Sequence, residues 1–163
     1  MRNLLTFLLF IVFAIFPISA QVIDCDCENR YQDEIFNNND ISVETVTYSD
    51  VYNLQMDIYT PPEYIDACTS RPLIILAHGG SFIGGSKSNP TVVDLCETFA
   101  KRGYVAASIN YRLATHGTVL GTDWSTLGGL TWFDASGDGL QNGIKVIYSA
   151  MTDAKAAVRF FRK

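Results

Sequence analysis

Two hydrophobic rhythms alternate along the chain and predict the order of its elements. From Ile41 to Tyr48 the residues are rich in Val, Thr and Tyr, and from Tyr52 to Tyr59 the apolar Tyr52, Leu54, Met56 and Ile58 alternate with Asn53, Gln55 and Asp57. A period of two is strand periodicity. Ser49-Asp50 separates the two runs, so they predict an antiparallel hairpin, closed off by Pro61-Pro62. Leu73 to Ala77 shows no alternation, which predicts a strand buried on both faces, as in the parallel part of a sheet covered by helices. At Asn89-Pro90 the period changes. Asn caps the first free N–H of a helix, Pro is tolerated in its first turn, and Lys101, Arg102 and Gly103 mark its end. Val92, Leu95, Cys96, Phe99 and Ala100 take the inward spacing of that helix. Tyr104 to Ile109 is a second buried strand, and strand, helix, strand with a short return predicts a parallel crossover. From Gln141 to Phe161 the positions Ile144, Ile147, Met151, Ala154, Val158 and Phe161 step by three or four, which predicts an amphipathic helix laying that row on the sheet.

The segments between these elements divide the chain. Residues 1–20 read as a secretory signal, with Arg2 as the positive start, an apolar stretch from Leu4 to Phe16, and Ile18-Ser19-Ala20 before Gln21. The apolar run is shorter than the roughly 20 residues needed to span a bilayer, which argues against a stable membrane anchor. Residues 21–40 read as a polar N-terminal tail ending in Asn37-Asn38-Asn39-Asp40, a loop marker, and residues 41–163 as one α/β domain. Thr115 to Asp138 is long and Gly-rich yet carries Leu120, Trp124, Leu127, Leu130, Trp132 and Phe133, so it is no disordered linker.

Composition narrows the function. The 163 residues are 48% hydrophobic, enough for a core, and the net charge of -5 comes with no run of Lys or Arg that could track a phosphate backbone, which excludes nucleic acid as a natural partner. Export to a secreted or periplasmic address makes Cys25, Cys27, Cys68 and Cys96 candidates for disulfides, with three complete pairings open. Cys68 is placed to clip the tail through Cys25 or Cys27, while Cys96 on the inward face of its helix reads as a buried thiol. A metal site at Cys25-x-Cys27 lacks histidine support. Asp134-x-Ser136-x-Asp138-Gly139 imitates the start of a calcium loop, but Lys145 stands where the bidentate Glu belongs.

The candidate chemistry lies where the Leu73 to Ala77 strand runs into His78-Gly79-Gly80-Ser81-Phe82-Ile83-Gly84-Gly85. Acyl transfer needs backbone N–H groups aimed at an oxygen that becomes negative in the transition state, and glycines let the main chain approach it closely. With Leu54-Gln-Met-Asp-Ile-Tyr-Thr-Pro-Pro62, Gly103-Tyr104-Val105-Ala106 into Asn110-Tyr111-Arg112-Leu113, and Asp153-Ala-Lys-Ala-Ala-Val-Arg-Phe160, this loop forms an ordered set. The set resembles the His-Gly-Gly esterase and lipase branch of the α/β-hydrolases, which includes carboxylesterases and feruloyl-esterase-like proteins, over roughly Val43 to Lys163.

That resemblance implies an α/β-hydrolase fold, here its N-terminal part: a mostly parallel sheet with an antiparallel start, cut before the nucleophile elbow. No G-x-S-x-G occurs in the chain, so the triad serine, acid and histidine are expected beyond Lys163. The interrupted sheet is expected to leave its last strand edge unpaired and its helices half uncovered. Carried over by position, the oxyanion donors are the backbone N–H groups of Gly80 and Ser81, supported by Gly79 and His78, with Ser81 standing where a third glycine is commoner. His78 as a direct general base is the weaker reading, since in the resembling family it braces the loop. His116 reads as a surface residue. Asp153 reads as an anchor between helix and sheet or oxyanion loop, not as the triad acid. Phe82, Trp124 and Trp132 are the candidate substrate-binding side chains, set against the plain reading that the aromatic loop packs on its own scaffold. The implied substrate is a small-molecule or polymer-linked ester, with no metal and no organic cofactor. The rival readings are a hydrolase-fold binding protein that has lost its nucleophile and a serine peptidase on the same scaffold.

Overall fold

A computed structural model describes residues 22–116 and 138–163. The signal-like stretch, and Trp124, Trp132 and Phe133 of the aromatic loop, lie outside the described residues.

β1 (Ser42–Ser49) and β2 (Leu54–Thr60) form the expected antiparallel hairpin. β3 (Leu73–Ala77) leads through α1 (Pro90–Lys101) to β4 (Val105–Ile109), which lies between β2 and β3 to give the order β1-β2-β4-β3. β4 runs antiparallel to β2, with Met56 opposite Ile109, and parallel to β3, with Ile75 opposite Ala107. The sheet therefore starts antiparallel and turns parallel at β4 and β3. α2 (Asp138–Phe160) completes the described elements.

Among the described residues, each face of the sheet carries one helix. Tyr59 and Ala106 pack on Val92, Cys96 and Ala100 of α1, while Leu54, Met56, Ala107 and Ile109 pack on Ala157 of α2. The start of α1 follows its sequence signals, since Asn89 Oδ1 accepts from the Thr91 N–H at 3.1 Å and Pro90 opens the first turn. Cys96 is fully buried, and burial, ahead of the charges of Asp57 and Glu97, pushes its thiol up to about 12.

Four expectations are corrected. Asp57 was assigned to the polar side of β2, yet it is buried, because helices on both faces remove the solvated side. Tyr52 falls in the turn ahead of β2 and is exposed. β3 is not buried on both faces: Leu73 is 37% exposed, and among the described residues the strand pairs with β4 alone. An apolar run reports hydrophobicity and not the number of neighbours. In α2 the buried positions are Val146, Ala150, Asp153 and Ala157; Ala157 packs on the sheet beside the expected Ala154 and Phe161, Val146 and Ala150 pack on the segment after β4 and the loop after β3, and Ile144, Ile147, Met151 and Val158 are exposed.

The stretch 21–40, expected as a polar tail ahead of the fold, is packed along it from residue 22 onward. The N–H groups of Ile35 and Phe36 donate to the carbonyl of Lys101, and that of Tyr31 donates to the carbonyl of Arg102. These are carbonyls that a helix C-terminus leaves without partners, so the strap caps α1. Phe36 and Arg30 are buried beneath it. Arg30 Nη2 and Arg71 Nε lie 2.7 Å and 2.8 Å from the fully buried carboxylate of Asp66. Beside that cluster Cys25 and Cys68 form a disulfide, leaving Cys27 and Cys96 free. Polarity misled the sequence reading here, because the strap's N–H groups meet helix carbonyls and the Arg30 guanidinium meets the carboxylate of Asp66.

Candidate functional site

The chain leaves the carboxyl end of β3 in a turn that few residues can adopt. Gly80, Ser81 and Phe82 have φ of 121°, 51° and 60° in succession. A left-handed backbone suits glycine, and for Ser81 and Phe82 it costs roughly 1–2 kcal/mol each. The turn is closed from within, since Gly80 O accepts the N–H groups of Ile83 at 2.9 Å and Gly84 at 3.2 Å. A Cβ on Gly80 would overlap the carbonyl of Gly84, and one on Gly85 would overlap the His78 ring and the carbonyl of Gly79. The two limbs of the loop thus touch where only glycine fits. Gly79, Gly80 and Ser81 are exposed at the tip, and their N–H groups donate to no acceptor among the described residues.

His78 sits under this tip and is buried. Its ring stacks on Tyr111 with centroids 4.4 Å apart, and Nδ1 lies 2.8 Å from Gly79 O, a hydrogen bond when Nδ1 carries the proton. Tyr111 Oη donates to the His78 carbonyl at 2.7 Å, and burial holds the phenol above its ordinary range, so it stays a donor. His78 braces the loop. Phe82 meets Tyr111 edge-on at 6.0 Å, and its carbonyl accepts the Ala114 N–H at 2.8 Å.

The segment after β4 is locked in turn by α2. Asp153 accepts the Arg112 backbone N–H at 2.9 Å and binds the guanidinium through Nε at 2.9 Å and Nη2 at 2.8 Å. Both side chains are buried, and Tyr52 covers the guanidinium at 3.8 Å. Asp153 is fully engaged as an anchor, as expected. His116 is exposed, and its Nδ1 accepts the Leu113 N–H at 3.3 Å.

Below the tip a cavity of about 270 Å³ opens between β3 and α2, lined by His78, Phe82, Ile109, Tyr111, Met151 and Ala154. Its walls are mostly apolar, and it sits at the carboxyl ends of β3 and β4, where Ala77 and Ile109 contribute to its lining. The structure therefore brings His78, Gly79, Gly80, Ser81 and Phe82 together, while Trp124 and Trp132 lie outside the described residues. Among the described residues, no group of three or more His, Cys, Asp or Glu is gathered to hold a metal ion. No described helix is long and apolar enough to cross a membrane.

Comparison with solved structures matches this arrangement to esterase 2 of Thermogutta terrifontis. The form phosphonylated by sarin aligns with a TM-score of 0.50 at 24% identity, over 82% of this chain and 37% of that one. This is part of an α/β-hydrolase fold. The form phosphonylated by cyclosarin gives a TM-score of 0.50 at 25% identity, over 74% of this chain and 36% of that one. The chain thus spans little more than a third of the length of those esterases. The BD-FAE family model, an α/β-hydrolase esterase family, matches residues 56–120, from β2 past the glycine turn and β4, and over that stretch the chain is similar to α/β-hydrolase esterases. A comparison with the curated proteins returned no match.

Sequence reasoning missed the residues that hold the loop from outside it. Lys87, Asp57, Ser108 and Asn110 form a bonded group at its return limb. The one signal available was an acidic residue in the middle of a strand in a largely apolar sheet.

Proposed function

We propose that this chain is the oxyanion-hole half of an exported carboxylic ester hydrolase that works through a serine acyl-enzyme. The observation that carries the reading is the left-handed turn at Gly80, Ser81 and Phe82 at the carboxyl end of a parallel strand, with N–H groups at its tip that meet no acceptor among the described residues. The Gly80 and Ser81 N–H groups would stabilise the oxygen that becomes negative as the acyl carbon turns tetrahedral, and each such donor is worth roughly 100-fold or more in turnover. His78 holds the turn and takes no proton. The serine, its acid and its histidine are supplied outside residues 1–163, and the residue after the serine completes the hole. That β3 pairs with β4 alone among the described residues, and that Ile144, Ile147, Met151 and Val158 of α2 are exposed, support a further strand laid on that side. The substrate is an ester of a small molecule or of a polymer, and the polypeptide leaves the cell by the signal in residues 1–20.

The test is hydrolysis of p-nitrophenyl esters of graded chain length by the protein expressed from its whole reading frame, together with labelling by a fluorophosphonate. A burst of nitrophenol and one labelled serine are expected. No turnover and no label, in a folded protein, would defeat the esterase reading and leave a binding protein on the same scaffold. Amide cleavage with no ester preference would move it to a peptidase.

A further inference from the structure

The loop after β3 returns to the sheet through Lys87, which is held at three separate points. Its N–H donates to Asn110 Oδ1 at 2.7 Å, its carbonyl accepts from Ser108 Oγ at 2.6 Å, and its Nζ lies 2.7 Å from both carboxylate oxygens of Asp57. Asp57 is itself 7% exposed and takes a further hydrogen bond from Thr45 Oγ1 at 2.6 Å. β1, β2 and β4 thus converge on a single residue just past Gly85. Taking an ion pair out of water offsets much of its attraction, so such a pair is a poor stabiliser compared with apolar packing. What it supplies is a fixed position.

That position is transmitted to the tip. Gly85 lies against the His78 ring and Gly79 O, and the Ile83 and Gly84 N–H groups bond Gly80 O, so the outgoing limb rests on the return limb that Lys87 secures. Ser81 and Phe82 are held in left-handed backbone that would relax if the return limb were released. We infer that Asp57 and Lys87 are positioning residues for the Gly80 and Ser81 donors. The pair sets where those N–H groups point, without touching substrate. This inference rests on the oxyanion reading above.

The experiment compares D57N, K87M, the double variant and S108A with the wild type, all expressed from the whole reading frame. Two quantities are read: kcat and KM on a p-nitrophenyl ester, and amide hydrogen exchange at Ile83 and Gly84. An oxyanion contact strengthens only in the transition state, so misplacing it lowers kcat by roughly 10- to 100-fold and leaves KM within about twofold. Exchange at Ile83 and Gly84 is expected to quicken while that of β2 and β4 holds. The double variant is expected to lose no more than the worse single one, because both act through one contact. S108A loses only the hydroxyl on the Lys87 carbonyl and reads the same two quantities, more weakly, if a charge variant does not fold. Unchanged exchange at Ile83 and Gly84, or a raised KM with kcat intact, overturns the inference. A wild type that hydrolyses no ester defeats the oxyanion reading instead, and the exchange data then decide the positioning role by themselves.

Discussion

Replacing Asp153 with Ala should be among the most damaging single changes in the described fold. The carboxylate neutralises a buried guanidinium and accepts both the Arg112 backbone N–H and two guanidinium donors, with the two side chains 3% and 9% exposed. D153A leaves the buried Arg112 charge without a counter-charge, a defect that costs about 3–5 kcal/mol. With a urea dependence of roughly 1–3 kcal/mol per molar, the unfolding midpoint should drop by about 2 M. R112M alone should cost a similar amount by stranding the carboxylate. The double variant R112M/D153A should cost clearly less than the two singles summed, since no charge remains unpaired. The assay is equilibrium urea unfolding of the four proteins, followed by near-ultraviolet circular dichroism. A D153A loss below about 1 kcal/mol, or a double variant that costs the full sum, would refute the claim that this ion pair locks α2 to the segment carrying Tyr111.

Removing the disulfide with C25S or C68S should destabilise the oxidised protein by about 4 kcal/mol, from the closure entropy of the 43-residue separation. A reductant titration should reproduce that shift in the wild type and leave the variants unmoved. Asp66 gives a pH dependence of definite sign. Burial opposes its charge, but hydrogen bonds from Arg30, Arg71 and the Cys68 N–H outweigh it and hold the carboxyl below its usual range. A folded pKa below the unfolded value of about 3.9 means stability that is complete above that value and is lost as pH falls through the folded pKa. Urea midpoints should therefore fall below about pH 4, and D66N, already destabilised at neutral pH, should flatten that part of the acid slope; an unchanged slope would contradict the assignment.

The local features legible in the sequence are those whose cause is itself local. Asn89-Pro90 starts α1 because a cap side chain and a missing N–H act within one turn. The hairpin of β1 and β2 follows from two alternating runs and a short break. The glycine turn was readable as a turn, because only glycine tolerates the crowding at residues 80 and 85.

What tertiary structure alone decided concerns the choice among partners. Periodicity marks α2 as amphipathic, but two adjacent rows qualify, and the more deeply buried one is the row whose Asp153 engages Arg112. The strap from residue 22 looked too polar to pack, and it packs because its N–H groups meet the unsatisfied carbonyls at the end of α1, a match set by a distant element. Asp57 looked like a solvent-facing strand residue until α1 covered that face and Lys87 arrived from the loop to pair with it. In each case the sequence specified the chemistry of a group, while its burial and its partner depended on residues far along the chain. Hydrophobic pattern carries no record of which distant surface a side chain will meet.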